Sequence, residues 1–199
     1  MTSIPTLSRI LQSHYPWVSS PLICSAPLRL IATEKLATAV SLSKGLGFLG
    51  IGTDVSTLQP LLASTTSVLE KSPVALAPPG VLPVGVGFIC WGADLEAAIS
   101  VIKAAELKPC AAWLFAPREI KHLEHWTKGI REASSGLSKI WIQVSTVKDA
   151  VDAAKTCHPD VLVIQGSDAG GHGLAKSSSI ISLLPECADT LKKEGFGIL

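Results

Sequence analysis

Short apolar runs alternate with longer amphipathic segments along this chain, recurring roughly every 25 to 30 residues, the length of one strand-plus-helix unit. No other feature restricts the fold as much. Strands that follow one another through helices lie parallel, because a parallel neighbour is reached only by a crossover, and the helices then cover the sheet. The apolar runs are residues 21 to 26, 46 to 51, 84 to 88, 110 to 115, 140 to 144 and 161 to 164. Val161–Ile164 is β-branched at three of four positions and does not alternate, as expected for a strand covered on both faces.

The segments between them read as helices. Thr33 is expected to cap a helix over residues 34 to 42, Asp94 one carrying Leu95, Ala98, Ile99 and Ile102 at helical spacing, and Thr146 one over residues 147 to 157. Residues 55 to 71 form a helix if Pro60 lies in its first turn or at a kink. Residues 118 to 133 follow the breaker Pro117, and residues 178 to 193 are expected to be interrupted or restarted near Pro185. Residues 1 to 20 read as a lead-in, and residues 195 to 199 as the beginning of a seventh strand. Six units and the start of a seventh suit an open doubly wound sheet or part of a closed barrel. A full barrel needs about 250 residues, so as a barrel the chain stops early.

With 47% hydrophobic residues and a mean hydropathy of +0.41, the chain is expected to form one domain over residues 1 to 199. Its 17 basic and 16 acidic residues are mixed and leave a formal charge of +1, which gives no electrostatic case for nucleic acid or an anionic membrane. A small ligand fits better. The five cysteines are widely spaced without a CxxC pair, so buried thiols in a reducing, cytoplasmic setting are expected rather than disulfides or zinc. The most apolar stretch, residues 81 to 93, contains proline and glycines and is too short to span a bilayer. Tryptophans 17, 91, 113, 126 and 141 have no basic interleaving and read as packing residues.

Chemistry concentrates just after residue 164, where Gly166, Gly170, Gly171 and Gly173 surround Asp168 and His172. The loop is neither a dinucleotide fingerprint nor a Walker loop, lacking both the GxGxxG spacing and a Lys-Ser/Thr pair that follows a glycine. It lies at the carboxyl end of an expected strand, where parallel sheets bind ligands, and an imidazole there suits acid-base work near neutral pH. Gln165, at the mouth, is read as a ligand contact, and Gln143, within a strand, as a satisfied core amide. His122 and His125 lie three apart on an expected helix without a third ligand and read as a solvated face.

The run Gln165, Gly166, Ser167, Asp168, Ala169, Gly170, Gly171, His172 resembles the Gln-Gly-x-Glu-Ala-Gly-Gly-His hallmark of nitronate monooxygenases, formerly 2-nitropropane dioxygenases. Residues 21 to 28, ending Ala26, Pro27, Leu28, are similar to that family's first strand and its Ala-Pro-Met turn, and residues 144 to 150 to its fifth strand and helix. The resemblance covers residues 20 to 199 and implies a parallel (β/α) fold of the TIM-barrel type, here incomplete, that binds FMN and oxidises nitronates or nitroalkanes with oxygen. His172 would then be the general base, Ala26, Pro27 and Leu28 would lie against the flavin ring, Gln165 would bond its polar edge, and Gly170 and Gly171 would let the backbone approach.

Departures from that pattern are Leu28 for methionine, Asp168 for glutamate, Gly87 for a strand asparagine and Leu114 for a second histidine. The family's phosphate-binding loops after strands seven and eight have no counterpart in this sequence. That shortfall leaves three readings: a gene that continues, a chain completed by self-association, or a non-catalytic remnant that binds a small molecule or another subunit. FMN-dependent enoyl-acyl-carrier-protein reductases carry a similar Gly-Gly-His loop and are the alternative enzyme class.

Overall fold

A computed structural model describes residues 4–74 and 76–196 of the chain. The elements are α1 (Ile4–His14), α2 (Glu34–Leu42), β1 (Gly47–Gly52), α3 (Leu58–Lys71), β2 (Val81–Leu82), β3 (Val84–Ile89), α4 (Leu95–Ala104), β4 (Lys108–Pro109), β5 (Ala111–Phe115), α5 (Ile120–Ala133), β6 (Lys139–Val144), α6 (Val147–Cys157), β7 (Val161–Ile164) and α7 (Ile180–Lys193). Five strands form one sheet in the order β1-β3-β5-β6-β7, parallel throughout, while β2 and β4 pair separately. The fold is therefore α/β of the parallel barrel type in an open, incomplete form.

Alternation along the strands separates two layers. Leu49, Val86, Leu114, Ile142 and Val144 face the helices and pack with Leu62, Ile102, Trp126 and Ile130. Phe48, Trp113, Trp141 and Val163 face the other way, into a cluster with Tyr15 and Trp17. There the Trp113 and Trp141 rings stack at 5.7 Å, and the Trp141 indole donates to the Tyr15 hydroxyl at 2.7 Å. Two aromatic anchors on the segment following α1, with Leu11 of α1 beside them, thus cover a sheet face that α2 to α7 leave bare.

Local signals account for most boundaries. Asp94 accepts from Ala97 N at 3.0 Å and Thr146 from Asp149 N at 3.1 Å, each satisfying a free N–H at a helix start. Pro60 lies in the first turn of α3, where its missing N–H costs nothing. Lys108 closes α4 by donating to the carbonyls of Ile102 (3.0 Å) and Lys103 (2.9 Å).

Several expectations are corrected. Residues 21 to 26 form no strand: only Cys24 bridges to Leu46, because Pro21 and Pro27, bracketing it, lack the N–H that a longer ladder requires. The lead-in contains helix α1. Thr33 occupies the N-cap position of α2 without a side-chain bond to it. β7 is half-buried rather than covered, since it is the last strand of the sheet. α7 continues through Pro185, its buried side carried by Leu183, Cys187 and Leu191. His122 is half-buried and accepts a 3.1 Å hydrogen bond from the indole of Trp126 one turn along the same helix, so it is not merely a solvated face. Of the expected seventh strand, residues 197 to 199 lie outside the described residues. Four cysteines are buried and Cys24 is exposed, all as free thiols, and burial pushes the Cys90 thiol up to about 12. No helix among the described residues is long and apolar enough to cross a membrane.

The tightest backbone approach is between α2 and β1, where a Cβ on Gly47 would lie 2.0 Å from the Ala37 carbonyl oxygen. The obstacle is helix backbone, which cannot rotate aside. Gly47→Ala is therefore expected to destabilise the fold by about 2–3 kcal/mol, the upper range for overpacking, seen as a lower urea midpoint at unchanged slope.

Candidate active site

The carboxyl ends of the strands, on the face away from the helices, open into a cavity of about 500 Å³. That size lies within the range of small-molecule and cofactor sites. Same-face alternation puts Gly87 on β3, Trp113 and Phe115 on β5 and Gln143 on β6 along its wall. Gln165 continues that row beyond β7, and the loop after it supplies Gly170, Gly171, His172, Gly173 and Leu174. The opposite lip is the turn of Ala26, Pro27, Leu28 and Arg29, with Thr53 and Trp91 at the rim. All seven residues singled out from the sequence, Ala26, Pro27, Leu28, Gln165, Gly170, Gly171 and His172, line this one cavity.

Two close approaches set its shape. A side chain at Gly87 would put Cβ 2.1 Å from Pro27 Cβ, so the departure from asparagine is what lets the 26–28 turn sit against β3. Gly171 holds φ at +82°, a conformation that side chains rarely adopt, which turns the loop back toward Leu28. Leu114, in contrast, belongs to the helix-side layer. The place of the second histidine is therefore filled by a core residue, and the cavity-facing neighbour is Phe115.

The cavity lining carries one guanidinium, one imidazole and no carboxylate. Asp168 turns away from it: its carboxylate accepts from the Ser179 hydroxyl (2.7 Å) and from Ile180 N (3.0 Å) at the start of α7. The Ser179 hydroxyl, and behind it the Ile180 N–H, hold the Asp168 carboxyl below its ordinary value. Asp168 is thus a helix anchor, a role that gives the shorter acid a reason.

Both glutamines take part in a hydrogen-bonded series. Trp113 Nε1 donates to Gln143 Oε1 (2.8 Å), Gln143 Nε2 to Gln165 Oε1 (2.6 Å), and Gln165 Nε2 to the His172 carbonyl (3.1 Å). Gln143 is thus satisfied, as expected, yet it also faces the cavity. Its period-two placement beyond Trp141 was the signal for that. Arg29, Trp91 and Trp113 were missed as lining residues; Arg29 directly follows the Ala-Pro-Leu turn, and that adjacency alone pointed to it. Among the described residues no group of histidines, cysteines and acids is arranged to hold a metal.

Fold and cleft first define a class: an open (β/α) segment of the TIM-barrel type with a histidine-bearing glycine loop at the strand ends. Solved structures agree on the fold. FabK from Thermotoga maritima superposes with a TM-score of 0.67 at 18% identity, covering 94% of this chain and 51% of that one. A nitroalkane oxidase from Streptomyces ansochromogenes gives 0.65 at 18% identity, covering 95% and 58%. No protein-family model matches the chain. Two curated relatives do: nitronate monooxygenase npaC of Metarhizium robertsii is 42% identical over 193 residues, 95% of this chain and 53% of its own length. A nitronate monooxygenase of Neurospora crassa is 40% identical over 92% of this chain and 52% of its own length. By sequence the chain groups with the nitronate monooxygenases, and it spans about half the length of the curated relatives it matches.

The Asp168 anchor has a defined pH range. A carboxyl depressed below 3.8 contributes fully above that pH and loses its contribution only as the pH falls through the depressed value. Deuterium uptake over residues 166 to 182, corrected for intrinsic exchange, should therefore be flat from about pH 5 to 7 and rise throughout that range in Asp168→Ala.

Proposed function

We propose that the chain forms the ring-and-substrate side of a flavin site that oxidises nitronates or nitroalkanes with oxygen, with FMN as the cofactor and His172 as the general base. The observation that carries this reading is the convergence, in one carboxylate-free cavity, of the His172 loop and the Ala26, Pro27, Leu28 turn. The curated relatives, 40–42% identical over most of this chain, support it.

The lining suits a flavin ring. After the bonds described above, the amide nitrogens of Gln143 and Gln165 each keep one N–H, which can meet the carbonyls and nitrogens of a heterocycle edge. Gly170 and Gly171 present backbone to the same space, and a Cβ on Gly170 would meet nothing within 4 Å. FMN, when bound, takes the electrons of the substrate and delivers them to oxygen. The chain itself supplies position, proton transfer and charge. The Arg29 guanidinium makes the cavity hospitable to an anion, and a nitronate is one.

His172 has work to do only when the substrate still carries its α-proton. A neutral nitroalkane must lose that proton to a base within hydrogen-bond reach, whereas a nitronate arrives without it. His172→Ala should therefore reduce nitroalkane turnover by about 100-fold or more and nitronate turnover much less. Oxygen uptake by the FMN-supplemented chain checks this. A wild-type chain that retains no flavin absorbance and consumes no oxygen with either substrate rules the reading out for this chain. Turnover of an enoyl thioester with NADPH would redirect it to the reductase class.

A further inference from the structure

The loop between Gly170 and Lys176 carries His172 but makes almost no bonds of its own. Among the described residues, its one hydrogen bond to the rest of the chain is the bond that the His172 carbonyl accepts from Gln165. Its flanks are tied differently, by Ser167 N to the Ser178 carbonyl (2.8 Å) and by the Asp168 anchor on α7. What fixes His172 itself is therefore whatever fixes Gln165.

The ends of the series determine its sense. An indole N–H only donates and a backbone carbonyl only accepts. With Trp113 at one end and the His172 carbonyl at the other, the two amides between them bond continuously in one orientation only: each oxygen toward Trp113, each nitrogen toward His172. The root is rigid, since Trp113 is 6% exposed, stacked on Trp141 and met edge-on by Phe48 at 5.2 Å. We propose that Gln143 and Gln165 are positioning residues, a one-way hydrogen-bond chain that transmits the rigidity of the aromatic cluster to the loop bearing His172. Gln143 reaches His172 only through Gln165. Its contribution to catalysis rests on the reading of His172 as base, whereas the tether itself does not.

Glutamate substitutions test the direction. In Gln165→Glu the carboxylate still accepts from Gln143 but cannot donate to the His172 carbonyl. In Gln143→Glu the carboxylate still accepts from Trp113, and Gln165 must turn its nitrogen toward it, leaving oxygen against oxygen at His172. Lys176 provides a cleavage site inside the loop. Native trypsin cleavage after Lys176 is expected to quicken about tenfold in both variants, the effect of one lost hydrogen bond on a local opening. Cleavage should stay at the wild-type rate in His172→Ala, which keeps the carbonyl. Thermal midpoints should stay near that of the wild type.

Wild-type cleavage in either glutamate variant overturns the chain. So does cleavage that rises equally at all sites with a falling midpoint, because the amides then act through global stability. If Gln165→Glu does not fold, the same cleavage measured on Gln165→Met decides. Where the chain turns over a nitroalkane, both glutamate variants should lower kcat and leave KM within about twofold. An inactive chain would count against the functional reading while the cleavage rates still decide the tether.

Discussion

A parallel sheet has to be covered on both faces, and most of this structure follows from how that is done. Helices α2 to α7 cover one side through side chains at helical spacing. Among the described residues the other side is not covered by those helices but by its own aromatic residues, Phe48, Trp113 and Trp141, together with Tyr15, Trp17 and Leu11 of α1 from the start of the chain. That cover ends partway along the strands. One step further toward the carboxyl ends the same face presents Gly87, Phe115, Gln143 and Gln165, and the space above them is the cavity. The site is where the second layer stops.

This origin explains the mixed chemistry of the cleft. Its floor is continuous with an apolar core, so polar groups there must be paired, and the two glutamines pair with each other, an indole and a carbonyl. Its rim is open, which is where Arg29 and His172 lie. The only acid of the glycine loop is drawn off to the start of α7, leaving the cavity without a carboxylate.

The repeating unit was legible because each buried strand is a local apolar run and most helices announce themselves with a cap or a spaced apolar face. Ranges for α2, α6 and β7 read from the sequence coincide with the structure. What failed depended on neighbours the sequence does not show. Whether residues 21 to 26 extend a sheet depends on the strand beside them, and the exposure of β7 depends on its being last in the sheet. At the site, the cavity residues Ala26, Pro27, Leu28 and His172 were visible through a motif. Gln143 was visible only as an amide in a strand, since its partner Trp113 lies 30 positions away. That Leu114, at the place of the family's second histidine, faces the helices shows only once its neighbours on the adjoining strands are placed.

The bond between Trp141 and Tyr15 joins residues 126 positions apart. Closing so long a separation costs chain entropy that only the finished aromatic cluster returns. During synthesis the segment holding Tyr15 and Trp17 emerges first, yet the surface it covers is incomplete until β6 and β7 have been made. Until Trp141 arrives, a half-made chain therefore leaves Tyr15 and Trp17 without the surface they finally cover, and transiently exposed apolar surface of that kind favours aggregation.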